Sequence, residues 1–340
     1  MNVPNRAQQR APGVNTARTI AQRCTLDVVT YGEPLVVFIA EEPGSLAQVQ
    51  RFRKAIAGAE LNVAVGLARL GFKVGYVSRV GADSFGEFVT QTLLQQRIDA
   101  ACVKVDPTHP TGFYLKSCVL DGSDPAVEYH RKGSAASRLS PADYDARYFA
   151  GARHLHLSGV APAISPSSLE LAAHIAGEAR ATGVQCITFD PNLRPVLWPS
   201  VNDMVQQMRR LAALAEWVMP GLEEGRVITG AYSPPAIADF FLQRGAHGVV
   251  IKLGAAGAYL KTAQQELNVA ASPVAKVVDT VGAGDGFAVG FISALLDGRQ
   301  PEQAVARGNL VASLAIQVTG DNDGLPTHEQ LDSLEARTRD

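Results

Sequence analysis

The run Val277-Val278-Asp279-Thr280-Val281-Gly282-Ala283-Gly284-Asp285 passes directly into the apolar stretch Gly286-Phe287-Ala288-Val289-Gly290-Phe291-Ile292. Gly282, Ala283 and Gly284 are small residues just ahead of a helix start. Backbone N–H groups there stay unobstructed, and the helix dipole adds positive potential, so the place suits an anion. In phosphoryl transfer, charge spreads over the equatorial oxygens of the moving group, and preorganised N–H donors stabilise it without rearrangement. Asp285 lies inside this nest, where a carboxylate could accept the proton of an attacking hydroxyl. Taken alone, the same residues also fit a plain helix cap: Asp285 satisfying N–H groups, and the glycines making a tight turn.

Helices and strands must carry this run to a partner surface. Short apolar runs at 28–31, 74–78, 154–157, 186–190, 217–219 and 249–253 read as strands. They alternate with helical patterns at 59–70, 84–96, 167–181, 202–214 and 234–244, and two last helices at 283–296 and 301–318 close the chain. That alternation is the signature of a largely parallel sheet covered by helices. Two segments break the rhythm: 34–40, and the pair 111–120 with 126–131 joined by the turn-rich Asp121-Gly122-Ser123-Asp124-Pro125. They are expected to form a small antiparallel layer over the strand ends, a lid able to exclude water.

The glycine-rich run resembles the second signature of the ribokinase-like carbohydrate kinases, the PfkB family. The family's first signature is matched by Ala57-Gly58-Ala59-Glu60-Leu61-Asn62, followed by Ala68-Arg69-Leu70-Gly71 and by Val77-Ser78-Arg79-Val80-Gly81-Ala82-Asp83-Ser84-Phe85-Gly86. The resemblance implies an α/β fold, a ribokinase-like three-layer sandwich with a mainly parallel central sheet and a small β-sheet lid, spanning 26–326. It implies ATP-dependent phosphorylation of a sugar hydroxyl, with Asp285 as the catalytic base and Gly282, Ala283 and Gly284 as the anion hole. Gly58 lets backbone approach a sugar, and Asn62 can both donate to and accept from hydroxyls; as a plain helix-start residue, Asn62 would serve the backbone instead. Ala57 stands where the family often has glycine.

For the nucleotide, Ile251-Lys252-Leu253-Gly254-Ala255-Ala256-Gly257 resembles the family's strand and turn, which points to Lys252, Gly254 and Gly257, and Asn309 falls where the penultimate helix faces adenosine. A bare GxxG is also what an ordinary β-turn shows. The family's NxxE motif, whose glutamate orders water around magnesium, is matched by Gly221-Leu222-Glu223-Glu224: Glu224 keeps its place, as an indirect magnesium ligand through water, and Gly221 replaces the asparagine. ATP and Mg2+ are thus the implied cofactors, with a monovalent cation as a further candidate.

Polar groups are dense in Thr111-Gly112-Phe113-Tyr114, Glu128-Tyr129-His130-Arg131-Lys132-Gly133-Ser134-Ala135 and Phe189-Asp190-Pro191-Asn192-Leu193-Arg194. Two arginines favour a sugar acid, because a guanidinium offers a two-pronged donor to a carboxylate that a neutral sugar lacks. With Gly32-Glu33-Pro34-Leu35 and His156-Leu157-Ser158-Gly159, these stretches resemble the 2-keto-3-deoxygluconate kinases of the family. The resemblance implies that Tyr114, Tyr129, Arg131 and Arg194 line a pocket for 2-keto-3-deoxygluconate, whose product is the 6-phosphate. The competing readings are surface ion pairs for the arginines, a fructokinase or another ribokinase-like sugar kinase for the chain, and a catalytically silent sugar-acid sensor. His154 and His156 face one side of a strand, a spacing that suits a metal, but no third ligand is evident nearby, and hydrogen-bonded structural histidines are expected.

Composition fits this reading. The 340 residues are 46% apolar and 19% charged, enough apolar surface to offset the entropy of ordering. Lysine and arginine number 31 against 33 acidic residues, so no overall field draws the chain to nucleic acid or an anionic membrane. Cys24, Cys102, Cys118 and Cys186 are scattered, which suggests reduced thiols rather than a disulfide framework or zinc site. No apolar run is long enough for a signal peptide or a membrane span, so the cytoplasm is the expected compartment. Residues 1–25 and 327–340 are expected as a mobile extension and a tail, and a homo-oligomer through the lid is a candidate assembly.

Overall fold

Successive side chains of a strand point to opposite faces, and in Val28–Tyr31 both sets are buried: Val28 in one apolar cluster, Val29 and Tyr31 in another. Such a strand must lie inside a sheet covered on both sides. The computed structural model describes residues 26–119 and 125–337. The N-terminal extension, Cys24 and most of the expected turn at 121–125 lie outside the described residues.

In chain order, β1 (Val28–Tyr31) is followed by β2 (Leu35–Pro43), β3 (Phe52–Ala57), α1 (Ala59–Arg69), β4 (Val74–Gly81), α2 (Ser84–Gln95), β5 (Asp99–Asp106), β6 (Phe113–Cys118) and β7 (Val127–His130). There follow α3 (Ala146–Phe149), β8 (His154–Ser158), α4 (Pro166–Glu178), β9 (Cys186–Asp190), α5 (Val201–Ala212), β10 (Trp217–Val218), α6 (Leu222–Thr229) and α7 (Pro234–Leu242). The chain ends with β11 (Gly248–Lys252), β12 (Ala258–Thr262), β13 (Glu266–Val269), α8 (Ala283–Leu296), α9 (Pro301–Ala315) and α10 (His328–Arg337). The large sheet has the order β13-β12-β11-β10-β9-β8-β1-β4-β5. It is parallel from β11 to β5, and β12 and β13 add an antiparallel edge.

Helices α1, α2, α8 and α9 bury Leu61, Val89, Phe287 and Val305 on one face; α4, α5 and α7 bury Leu171, Met204 and Ile237 on the other. Three layers result, as expected. Several helices begin where a hydroxyl or carboxylate meets an unpaired N–H: Asp83 accepts from Gly86 N, Ser165 from Ser168 N and Ser200 from Asp203 N. Residues 327–340, expected as a tail, include α10, whose Leu331 is buried and whose Glu335 accepts from Arg307 Nε at 2.6 Å.

The second sheet has the order β3-β2-β6-β7. Its hairpin pairs β2/β3 and β6/β7 are antiparallel, but β2 and β6 pair in parallel, Val36 opposite Phe113. The expectation of an antiparallel layer is corrected accordingly. The cause is topological: β2 follows β1 and β6 follows β5, two strands of the same sense in the large sheet, so both excursions leave it in one direction.

Candidate active site

A cleft of about 410 Å³ opens between the lid sheet and the C-terminal ends of the parallel strands, the usual place for a ligand in an open α/β sheet. The lid supplies Leu35, Tyr114, Tyr129 and Arg131. The large sheet and its helices supply Gly58 and Asn62 at the start of α1, Asp190 at the end of β9 with Asn192 and Arg194 beyond it, Glu224 in α6, Lys252 at the end of β11, and Gly282, Ala283, Gly284 and Asp285 at the start of α8. The two signature stretches, more than 200 residues apart, therefore meet at one wall: Asn62 Nδ2 donates to Asp285 Oδ2 at 2.8 Å.

Close approach explains the glycines at both helix starts. Gly58 has φ 144°, and a Cβ there would stand 2.6 Å from the Glu33 carbonyl oxygen. Gly282 has φ 85°, and a Cβ there would stand 2.4 Å from the carbonyl oxygen of Asp321. Neither place admits a side chain without moving backbone. With Gly282 as the left-handed residue before α8, the first-turn N–H groups, which lack helical acceptors by geometry, lie along the cleft floor beside Asp285.

Asp285 keeps some surface exposure at the cleft, yet protein atoms crowd it closely enough that burial pushes its pKa up to about 8. The Asn62 hydrogen bond and the Arg194 charge pull downward; the Asp190 and Asp321 charges add to the rise. A carboxylate so tuned is matched to proton transfer near neutral pH. Its other oxygen, Oδ1, is 3.5 Å from Asn192 Nδ2. Asn192 holds φ 37°, an uncommon backbone state for a residue other than glycine.

The glycine-rich floor is flanked by an ion pair, Lys252 Nζ to Asp190 Oδ2 at 2.5 Å. Burial works against the Lys252 charge, but the Asp190 and Glu224 carboxylates hold its pKa above the ordinary value. A Cβ on Gly284 would lie 3.5 Å from Lys252 Nζ, so the ammonium faces the glycine-rich floor where a phosphate would rest. Glu224 accepts from Leu193 N and from Gly221 N, both at 2.7 Å, and so fixes the loop carrying Asn192 and Arg194 as well as lining the cleft. Its carboxylate, beside Asp190, is the oxygen donor type that a water-clad magnesium ion takes.

The two arginines divide. Arg131 donates from Nε to Glu33 Oε2 at 2.6 Å, and its Nη2 meets the same oxygen. Glu33 also accepts from the Ser134 hydroxyl, so Arg131 is seated against a buried carboxylate and shows the cleft one edge. Arg194 is exposed and donates to the Leu193 carbonyl at 2.9 Å. Tyr114 and Tyr129 lie with ring centroids 5.1 Å apart, and the Tyr114 hydroxyl donates to Asp321 at 2.5 Å.

Three expected nucleotide residues stand outside the cleft lining. Gly254 and Gly257 form the turn after β11; a Cβ on Gly257 would lie 2.1 Å from the Val269 carbonyl oxygen, a packing constraint. Asn309 turns its amide to the carbonyls of Val269 and Ala270, at 3.2 and 2.9 Å, and so ties α9 to the end of β13. Conversely, Glu33, Asp190, Asn192 and Asp321 line the cleft although no role was foreseen for them. Asp190 and Asn192 belong to a polar stretch already conspicuous in the sequence, and Glu33 to the resembling run Gly32-Glu33-Pro34-Leu35; Asp321 gave no local signal. His154 and His156 are buried and share the Thr188 hydroxyl at 3.0 and 2.9 Å, the hydrogen-bonded arrangement expected of them, and burial lowers both to a pKa of about 3, so they stay neutral.

Residues 25–328 match the model of the pfkB family carbohydrate kinases. The chain is 48% identical over 310 residues to the 2-dehydro-3-deoxygluconokinase of Bacillus subtilis (strain 168), covering 91% of this chain and 95% of the relative. Among solved structures, a PfkB protein from Polaromonas sp. JS666 is 47% identical with a TM-score of 0.84, covering 91% of this chain and all of that one. A protein of E. coli assigned to ribokinase II, solved in complex with ATP and Mg2+, is 25% identical with the same TM-score of 0.84, over 92% and 99% of the two chains. By this match over residues 25–328 and by the identity to these relatives, the chain belongs to the pfkB family of carbohydrate kinases.

Proposed function

We infer that this kinase transfers the terminal phosphoryl group of ATP to the 6-hydroxyl of 2-keto-3-deoxygluconate, the compound that the B. subtilis relative's name gives as 2-dehydro-3-deoxygluconate. The observation that carries the substrate is that relative's 48% identity over nearly the whole of both chains. The cleft supports it with Arg194 exposed at the rim, where a carboxylate can meet it.

Asp285 takes the proton of the hydroxyl as the sugar oxygen bonds to phosphorus and ADP leaves with the electrons of the broken bond. Asn62 orients Asp285 through Oδ2, and Oδ1, with only the long 3.5 Å contact to Asn192 Nδ2, is the oxygen that takes the proton. Gly282, Ala283 and Gly284 present their backbone N–H groups to the transferring oxygens, and Lys252 adds a fixed positive charge beside them. Magnesium, when bound with ATP, would offset the charge of the phosphate oxygens, and Glu224 and Asp190 in the cleft lining would hold its water shell. Tyr114, Tyr129 and Arg131 close the sugar side from the lid, and Gly58 leaves room for the sugar against α1. Gly254, Gly257 and Asn309 act indirectly on the nucleotide side, through the turn and the β13 end that they hold.

Residence in the cytoplasm and a homo-oligomer through the lid belong to the same proposal. The β7 edge of the lid, with Val127 and Tyr129 exposed, supports the second part. The deciding experiment compares kcat/KM for 2-keto-3-deoxygluconate, fructose and ribose with coupled ADP release. Preference for the acid is expected; equal or better use of a neutral sugar would reassign the substrate, and no turnover of any would favour a silent sensor.

A further inference from the structure

Lys116 lies on β6 and is 1% exposed, among the most deeply buried side chains of the molecule. A buried ammonium is costly unless paired and hydrogen-bonded. Here its Nζ stands 2.6 Å from Asp279 Oδ2 and 2.8 Å from Asp321 Oδ1. Asp321 lines the cleft, and Asp279 lies just ahead of the lining residues Thr280 to Asp285. Asp279 opens the glycine-rich run and accepts from Val281 N at 3.1 Å and from Gly320 N at 3.3 Å. Asp321 accepts the Tyr114 hydroxyl, and its backbone is the surface against which Gly282 packs. One ammonium from the lid thus joins the two loops that shape the anion floor.

Charge matters as much as position. Two buried carboxylates on the loops flanking the glycine-rich floor would repel a phosphoryl group and each other. Asp321 already acts on Asp285 by raising its pKa. The Lys116 ammonium, 1% exposed, cancels one of the two negative charges from the buried side. Burial disfavours that ammonium, yet the Asp321 and Asp279 carboxylates keep its pKa above the ordinary lysine value, so it remains charged through the working range.

We propose that Lys116 is a positioning residue for phosphoryl transfer: a cation built into the lid that seats the Asp279 and Asp321 loops around the anion floor, in place of any added monovalent ion. The proposal rests on the kinase reading above. It deepens that reading, because closure of the lid and assembly of the phosphate floor become one event.

The test uses the full chain as wild type, Lys116→Ala, Lys116→Met and Lys116→Gln, assayed at constant ionic strength in potassium, sodium, ammonium or bulky organic-cation chloride. The wild type is expected to be indifferent to the cation. Lys116→Ala is expected to lose kcat by about a hundredfold, the scale of a damaged anion hole, with a smaller change in the sugar KM. Ammonium or potassium should restore part of kcat in Lys116→Ala, where a space is left, and not in Lys116→Met, where the side chain fills it. A wild type that requires potassium overturns the proposal whatever the variants do. So does a folded Lys116→Ala or Lys116→Gln with unchanged kcat, or a cation effect equal in the Ala and Met variants. If the wild type phosphorylates no sugar, the functional reading fails separately; thermal unfolding then tests Lys116, since ammonium should raise the melting temperature of Lys116→Ala and leave that of Lys116→Met unmoved. Equal shifts in both would dismiss the internal cation.

Discussion

Removing the Asn62 amide from Asp285 tests the catalytic arrangement at its most quantitative point. Asn62→Leu keeps the side-chain volume and deletes the 2.8 Å donor to Asp285 Oδ2. That bond favours the ionised carboxylate and opposes the burial that already pushes the pKa up to about 8. A hydrogen bond to a charged group contributes about 1.5–3 kcal/mol. Since one pKa unit corresponds to about 1.4 kcal/mol, its loss should raise the Asp285 pKa by about one to two units. The base is active when deprotonated, so kcat/KM of the wild type should climb with pH and level off above about 8. In Asn62→Leu the same limb should move upward by about one to two pH units. At pH 7 the variant would then be slower by about ten- to a hundredfold and would recover most of the difference in alkaline buffer. Steady-state kinetics from pH 6 to about 10.5, with thermal unfolding to verify folding because Asn62 also accepts from Asn322 at 3.1 Å, make the measurement. A uniform loss at every pH, with the limb unmoved, would refute the reasoning: Asn62 would then act on substrate alone, or the titrating group would not be Asp285.

Asp285→Asn, which preserves shape and removes the acceptor charge, should lower kcat by about 10²–10⁴-fold and leave the sugar KM nearly unchanged in the coupled assay. Arg131→Met strands the buried Glu33 carboxylate and should cost about 3–5 kcal/mol in urea unfolding. Arg194→Met, on an exposed side chain, should change stability by less than about 0.5 kcal/mol while raising KM for the sugar acid more than for fructose.

Much of the site was legible because its constraints are local. A left-handed residue followed at once by a helix demands glycine at 282, and the acid three residues on falls in the first turn of α8. Most strand and helix boundaries fell within a few residues of the expected ones for the same reason. Pairings across the chain were not legible. Lys116 and Asp321 are 205 residues apart, and neither sits in a pattern that names the other. The β12–β13 hairpin went unforeseen because its connection, Ala263-Gln264-Gln265, lacks the glycine or asparagine that marks tight turns. Asn309 was read from its place on a helix toward the nucleotide, whereas its amide's partners are decided by where β13 ends.

The parallel pairing of β2 with β6 has a consequence for how the molecule comes into being. The lid is two excursions, entered from β1 and from β5, and the residues that pair Val36 with Phe113 are separated by β3, α1, β4, α2 and β5. Their juxtaposition closes a long loop, the slow kind of contact in folding. It becomes inexpensive only once β1, β4 and β5 stand side by side. The two hairpins of the lid are local, but their joining is not: the β2–β6 pairing should form after β1, β4 and β5 and be lost with that half of the sheet, so a cleft able to hold a sugar implies a core already folded.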